Sequence, residues 1–94
     1  MGGSIDFEYD PNKSAGNKEK HGVDFDEAQA LWDDPDLIVI DALNSIEPRS
    51  AWIGVMGGRH WTAITTDRGG VTRIISVRRS HKSEEELYER GKND

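Results

Sequence analysis

Apolar and polar positions alternate over Ile5-Asp6-Phe7-Glu8-Tyr9, the two-residue period of a strand with one wet face. Asp10-Pro11 then supplies a helix cap followed by proline at the first helical position, where a missing N–H costs nothing. The pattern predicts a helix to about His21, stopped by Gly22, which tolerates the left-handed cap conformation. Ala15 is its one clearly hydrophobic residue, so docking rather than amphipathicity must hold this helix in place. Asp24 with Glu27 three residues later is a capping-box pattern and opens a second helix. Phe25, Ala28, Leu31 and Trp32 fall on one side of it, and it ends before Pro35.

Leu37 to Ile40 reads as a short strand, and Asn44 to Arg49 as a turn. Three further strands are predicted over Ala51 to Met56, His60 to Thr66 and Val71 to Val77. Gly57-Gly58 and Asp67-Arg68-Gly69-Gly70 separate them, and links this short predict an antiparallel meander. Ser83-Glu84-Glu85-Glu86 is a second capping-box pattern, with acids at the positive end of a helix carrying Leu87 and Tyr88. The order β-α-α-β-β-β-β-α predicts an α+β domain: an antiparallel sheet with helices packed on one face. It spans residues 5–94, and Met1-Gly2-Gly3-Ser4 reads as a flexible leader.

The length of 94 residues fits one domain with a modest core. Three tryptophans and the apolar runs argue against disorder, although 32% of the residues are charged. The chain has no cysteine, which excludes a disulfide framework and thiolate metal sites. No apolar stretch approaches the roughly 20 residues of a membrane span, and no signal-peptide core opens the chain, so a cytoplasmic location is expected. A net charge of −6 at first opposes a nucleic-acid partner. The distribution changes that picture: residues 1–47 carry −9 and residues 48–94 carry +3. Between Arg49 and Lys82 there are seven basic residues and one acid, Asp67. Binding follows local potential rather than the total.

Two constellations carry candidate chemistry. Lys13, Asn17, Lys20 and His21 lie along one stripe of the first helix, joining cations to a proton carrier. The same spacing fits a solvated face with His21 favouring the negative helix end. Arg49, Arg73, Arg78 and Arg79 form the second, in side chains whose fork of donors matches phosphate oxygens. An arginine inside a strand, as Arg73 is, must point into a groove or to an acid. Arg78 and Arg79 point to opposite faces if the strand runs through them. The same residues fit a solvated sheet with cross-strand ion pairs. Tyr88 fits the edge of the core with a wet hydroxyl, or a base-stacking surface. Trp52 and Trp61 are read as core, and His60 as exposed. No pattern of metal ligands and no glycine-rich phosphate loop is present, and no cofactor is expected.

Asp6-Phe7-Glu8-Tyr9-Asp10-Pro11-Asn12-Lys13, then Asn17 and Lys20-His21-Gly22-Val23, resembles the opening of BrnT toxins. Phe25-Asp26-Glu27-Ala28, Asp33-Asp34-Pro35, Arg49 five residues before Gly54, Arg73-Ile74-Ile75-Ser76-Val77-Arg78-Arg79 and Tyr88-Glu89 continue the likeness over nearly the whole chain after Ser4. The resemblance implies a RelE-like fold and a metal-independent endoribonuclease that cleaves RNA and blocks translation. It also implies a BrnA-type antitoxin whose ribbon-helix-helix part contacts operator DNA. By motif it points to His21, Lys20, Arg73, Arg78 and Arg79 as catalytic. Lys13, Asn17, Arg49 and Tyr88 are taken as substrate contacts. In that reading His21 serves as acid or base, Lys20 positions the phosphate, and Arg73 with Arg78 or Arg79 holds the developing charge. The helix stripe and the C-terminal cations are then expected to meet across a single cleft. Two alternatives are a gyrase-type inhibitor toxin and a non-catalytic interaction module.

Overall fold

The computed structural model describes residues 5–42 and 47–92, so the expected leader and part of the expected Asn44 to Arg49 turn lie outside the described residues. The elements are β1 (Phe7–Glu8), α1 (Pro11–His21), a 3-10 helix (Glu27–Asp33), β2 (Ile38–Ala42), β3 (Arg49–Met56), β4 (Arg59–Arg68), β5 (Val71–Arg79) and α2 (Lys82–Lys92). The strands form one sheet in the order β1-β5-β4-β3-β2. The three pairings of β2 to β5 are antiparallel, as the short links require. The expectation of a wholly antiparallel sheet is corrected at one edge: β1 lies parallel to β5, with Phe7 opposite Thr72 and Glu8 opposite Arg73. The meander leaves the outer edge of β5 open, and β1 fills it from the far end of the chain.

Helix α1 begins and ends as its sequence dictates. The Asn12 N–H donates to the Asp10 carboxylate at 2.8 Å, and Gly22 caps the other end at φ 88°. Its docking is polar rather than apolar. Ser14 and Asn17 are its buried residues, while Ala15 is exposed. The Asn17 amide donates to the carbonyls of Val23 (2.8 Å) and Val77 (2.9 Å) and accepts from the Val77 N–H (3.2 Å). Ser14 Oγ accepts from the Phe25 N–H at 2.9 Å. These bonds satisfy buried backbone groups that would otherwise cost about 1–3 kcal/mol each.

The capping box of Asp24 and Glu27 forms reciprocally: the Glu27 N–H donates to Asp24, and the Asp24 N–H to Glu27. The helix it opens is a 3-10 helix, not the α-helix expected. Phe25, Ala28 and Leu31 are spaced by three, the repeat of a 3-10 turn, and all three are fully buried. They pack with Trp61, Ala63, Ile74 and Val77 on one face of the sheet, with Phe7, Trp32 and Trp52 at the margin. Of the two hairpin tryptophans expected in the core, Trp61 is buried in it and Trp52 is half-buried at its margin.

Helices cover both faces of the sheet, which corrects the one-face expectation. Thr62 lies between the core residues Trp61 and Ala63, so strand alternation turns it to the opposite face. There it is fully buried and bonds to Ser80 and to Glu84 of α2. The cause is a shifted cap. Glu84, not Glu86, folds back onto the chain and accepts from the His81 N–H at 2.7 Å. The same carboxylate binds Arg78, which draws α2 over the second face. Tyr88 pins the helix further along by donating to Asp34 at 2.7 Å. No helix among the described residues is long and apolar enough to cross a membrane.

Candidate functional site

The stripe predicted on α1 lines a depression of about 300 Å³ with Lys13, Gly16, Asn17, Lys20 and His21 on one wall and Ile75 and Ser76 of β5 on the other. A second depression, about 470 Å³, opens at the C-terminal end of α1 between His21, Val23, Ala30, Met56, Arg59 and Trp61. His21 borders both. Among the described residues, Lys13, Lys20 and His21 have no side-chain hydrogen bond or ion pair. Lys18, on the same helix but turned toward the 3-10 helix, is bonded to Glu27. Asn17, expected to face substrate, spends its amide on Val23 and Val77, and so builds the floor of the first depression rather than reaching out of it.

The arginines divide between the two faces. In β5 the register slips between Ile64 and Thr65 of β4, which face Ser76 and Ile74. Ile75 is thus an extra residue, a bulge. It lets Ile74 and Val77, three apart, both enter the core. It also puts Arg73 and Arg78, five apart, on the same opposite face, where strict alternation would have separated them. Arg73 lies beside Glu8 and bonds to its carboxylate at 3.0 Å. Arg78 forms a two-pronged pair with Glu84 at 2.8 and 2.9 Å. Arg79 turns back toward α1, with its guanidinium 5.7 Å from the Trp61 ring centroid.

The single cleft expected from the sequence is therefore corrected. Arg73 and Arg78 lie across the sheet from His21, and each is held by an acid. Arg49 stands at an odd separation from Trp52, so it also faces away from the α1 side. Its Nε is buried without a partner among the described residues, and a terminal nitrogen lies 4.0 Å from Glu47. Tyr88 is 2% exposed and its hydroxyl is bonded to Asp34, so the wet hydroxyl and the base-stacking role are both corrected. His60, expected to be exposed, is half-buried, bonded to Glu89 at 2.8 Å and stacked edge-on against Tyr88.

The electrostatics of the α2 face are those of a clasp. Burial works to raise the Glu84 carboxyl, but Arg78, the His81 N–H and Thr62 outweigh it and hold it down at about 2. Burial also opposes the charge on Asp34. The N–H groups of Val55 and Asp36 and the Tyr88 hydroxyl nonetheless keep its carboxyl below the usual range. Burial, then the bond to Asp34, pushes the Tyr88 phenol upward.

Sequence reasoning missed two residues. Asp34 ties the 3-10 helix to the Val55 N–H and to Tyr88. Arg59 is an exposed cation that comes directly after the Gly57-Gly58 turn and borders the second depression. Its place in the basic run between Arg49 and Lys82 was the available signal. Among the described residues no three His, Cys, Asp or Glu side chains group as metal ligands.

A comparison with curated proteins finds no match. Residues 9–84, which take in α1, both depressions and every strand except β1, match the family described as "Ribonuclease toxin, BrnT, of type II toxin-antitoxin system". On that match the chain belongs to the BrnT family of ribonuclease toxins.

Proposed function

We propose that the chain is a metal-independent endoribonuclease that cuts single-stranded RNA on the α1 face of the sheet, with His21 at the centre. The observation that carries this is the position of His21: it borders both depressions, and Lys13 and Lys20 line the first of them without a partner among the described residues. The reaction is a transesterification within the RNA. The 2′-oxygen attacks the adjacent phosphorus, the bond from phosphorus to the 5′-oxygen breaks, and the products end in a 2′,3′-cyclic phosphate and a 5′-hydroxyl. His21 takes the 2′-hydroxyl proton, and the departing 5′-oxygen takes one from water. Lys13 and Lys20 hold the phosphate in the first depression. Arg79, on the same face, offsets the charge that builds on the phosphoryl oxygens, and such a donor contributes roughly 3–4 kcal/mol at a well-formed site. Arg73 and Arg78 serve the fold in this reading, because Glu8 and Glu84 already neutralise them.

We further propose what the resemblance to BrnT toxins implies. Cleavage of cytoplasmic RNA blocks translation, the fold is of the RelE kind, and a BrnA-type antitoxin with a ribbon-helix-helix part neutralises the toxin and carries the contact with operator DNA. The test is to incubate the purified protein with end-labelled single-stranded RNA in a chelating buffer. Fragments ending in 2′,3′-cyclic phosphate are expected. Intact RNA, or fragments formed only when a divalent metal is restored, would overturn the proposal.

A further inference from the structure

We infer that the second depression, between His21 and Trp61, is a nucleobase subsite that takes the base on one side of the cut bond; this rests on the reading of His21 as the catalytic group. The two depressions at His21 differ in chemistry. The first is bordered by two lysines, the partners a phosphate needs. The second is bordered by Val23, Ala30, Met56 and the Trp61 indole, with Arg59 at its rim. An apolar hollow with one cationic fork is suited to a flat aromatic ring with polar edges. A sugar–phosphate chain seated at His21 has its phosphate on the lysine side and one neighbouring base within reach of the tryptophan side.

The walls of this hollow are preformed. The Trp61 Nε1 donates to the Met56 carbonyl at 3.1 Å, and Arg79 lies over the same indole. Both contacts hold the ring in the position that forms the wall. The intervening turn is built from Gly57 and Gly58 at φ 61° and 78°, values that side-chain-bearing residues rarely adopt, and it leaves the mouth open beside Arg59. Glu27 also borders the hollow, but its carboxylate is taken up by Lys18 and the Asp24 N–H. The charge left at the rim is that of Arg59.

The experiment compares cleavage of three RNAs that keep every phosphate and 2′-hydroxyl: the intact strand, and strands with an abasic ribose on either side of the cut. The wild-type protein is expected to lose about tenfold in kcat/KM on one of the two abasic strands, the scale of one lost stacking contact. Ala30 is exposed, so Ala30→Glu should fold normally. This variant should cut the intact strand as slowly as wild type cuts the affected abasic strand, with no further loss on the latter. Arg59→Ala should shift in the same direction by a smaller factor. Equal cutting of all three strands by wild type would overturn the subsite while leaving the nuclease reading intact. A base dependence that survives unchanged in Ala30→Glu would place base recognition elsewhere and also overturn it. Failure of wild type to cut the intact strand would remove the nuclease reading and the subsite together.

Discussion

The two faces of the sheet carry the same residue types in opposite states. On the α1 face, Lys13, Lys20, His21, Arg59 and Arg79 pair with no acid among the described residues, and Lys18 is the exception. On the α2 face four such groups are clasped, Arg73 by Glu8, Arg78 by Glu84, His60 by Glu89 and Tyr88 by Asp34, while Arg49 keeps a buried Nε without a partner among the described residues. An arginine held by two prongs to a half-buried carboxylate has its donors committed and contributes to stability. An unpaired cation beside a hollow keeps its donors for a ligand. Residue type alone does not separate these roles; the neighbouring acid does.

The largest effect is expected at His21. His21→Ala is expected to lower RNA cleavage by about 10²–10⁴-fold, with far-UV circular dichroism unchanged. Next comes Asn17, which belongs to the α1 face yet acts as its anchor. Asn17→Ala strips partners from the Val77 N–H and from two carbonyls. It should cost on the order of 3 kcal/mol in urea unfolding and also lower cleavage by loosening His21.

Glu84 sharpens the contrast from the other side, with a comparable effect on stability and little on cleavage. Its folded value near 2 lies below the ordinary 4.5. A depressed carboxyl stabilises the fold fully above pH 4.5, and the gain, on the order of 3 kcal/mol, is lost as pH falls toward 2. Glu84→Gln should therefore lower the melting temperature at pH 7 and flatten the loss of stability between pH 4.5 and 2. Tyr88→Phe removes one hydrogen bond to Asp34 and should cost about 1–2 kcal/mol in the same assay. Lys18→Ala should leave the melting temperature close to that of wild type, because it forms only an exposed surface ion pair with Glu27.

Much of the fold is legible in the sequence because its signals are local. Asp10-Pro11, Gly22, the Asp24–Glu27 box and the two glycine turns act within a few residues, and each lies where its chemistry requires. The stripe on α1 comes from helical periodicity and lines the first depression, with His21 also bordering the second. The failures involve long-range choices. Nothing near Ile75 announces a bulge, yet that one extra residue decides which face Arg73 and Arg78 share. The acids that neutralise them come from β1 and α2, 65 and 6 residues away along the chain. Ser83 to Glu86 looks the better cap, but Glu84 gains Arg78 and Thr62 by taking the role two residues earlier. The spacing of Phe25, Ala28 and Leu31 is visible, and only its reading as a 3-10 repeat gives the second helix correctly.

If catalysis takes place on the α1 face, two arginines of β5 must differ in effect although their residue type is the same. Cleavage rates of purified Arg79→Ala and Arg73→Ala should be measured on the same RNA, each corrected for folded fraction. Arg79→Ala is expected to fall about a hundredfold, the scale of one lost charge-stabilising donor, while Arg73→Ala keeps the wild-type rate. The reverse outcome, with Arg73→Ala inactive and Arg79→Ala unimpaired, would move the chemistry across the sheet and contradict the claim.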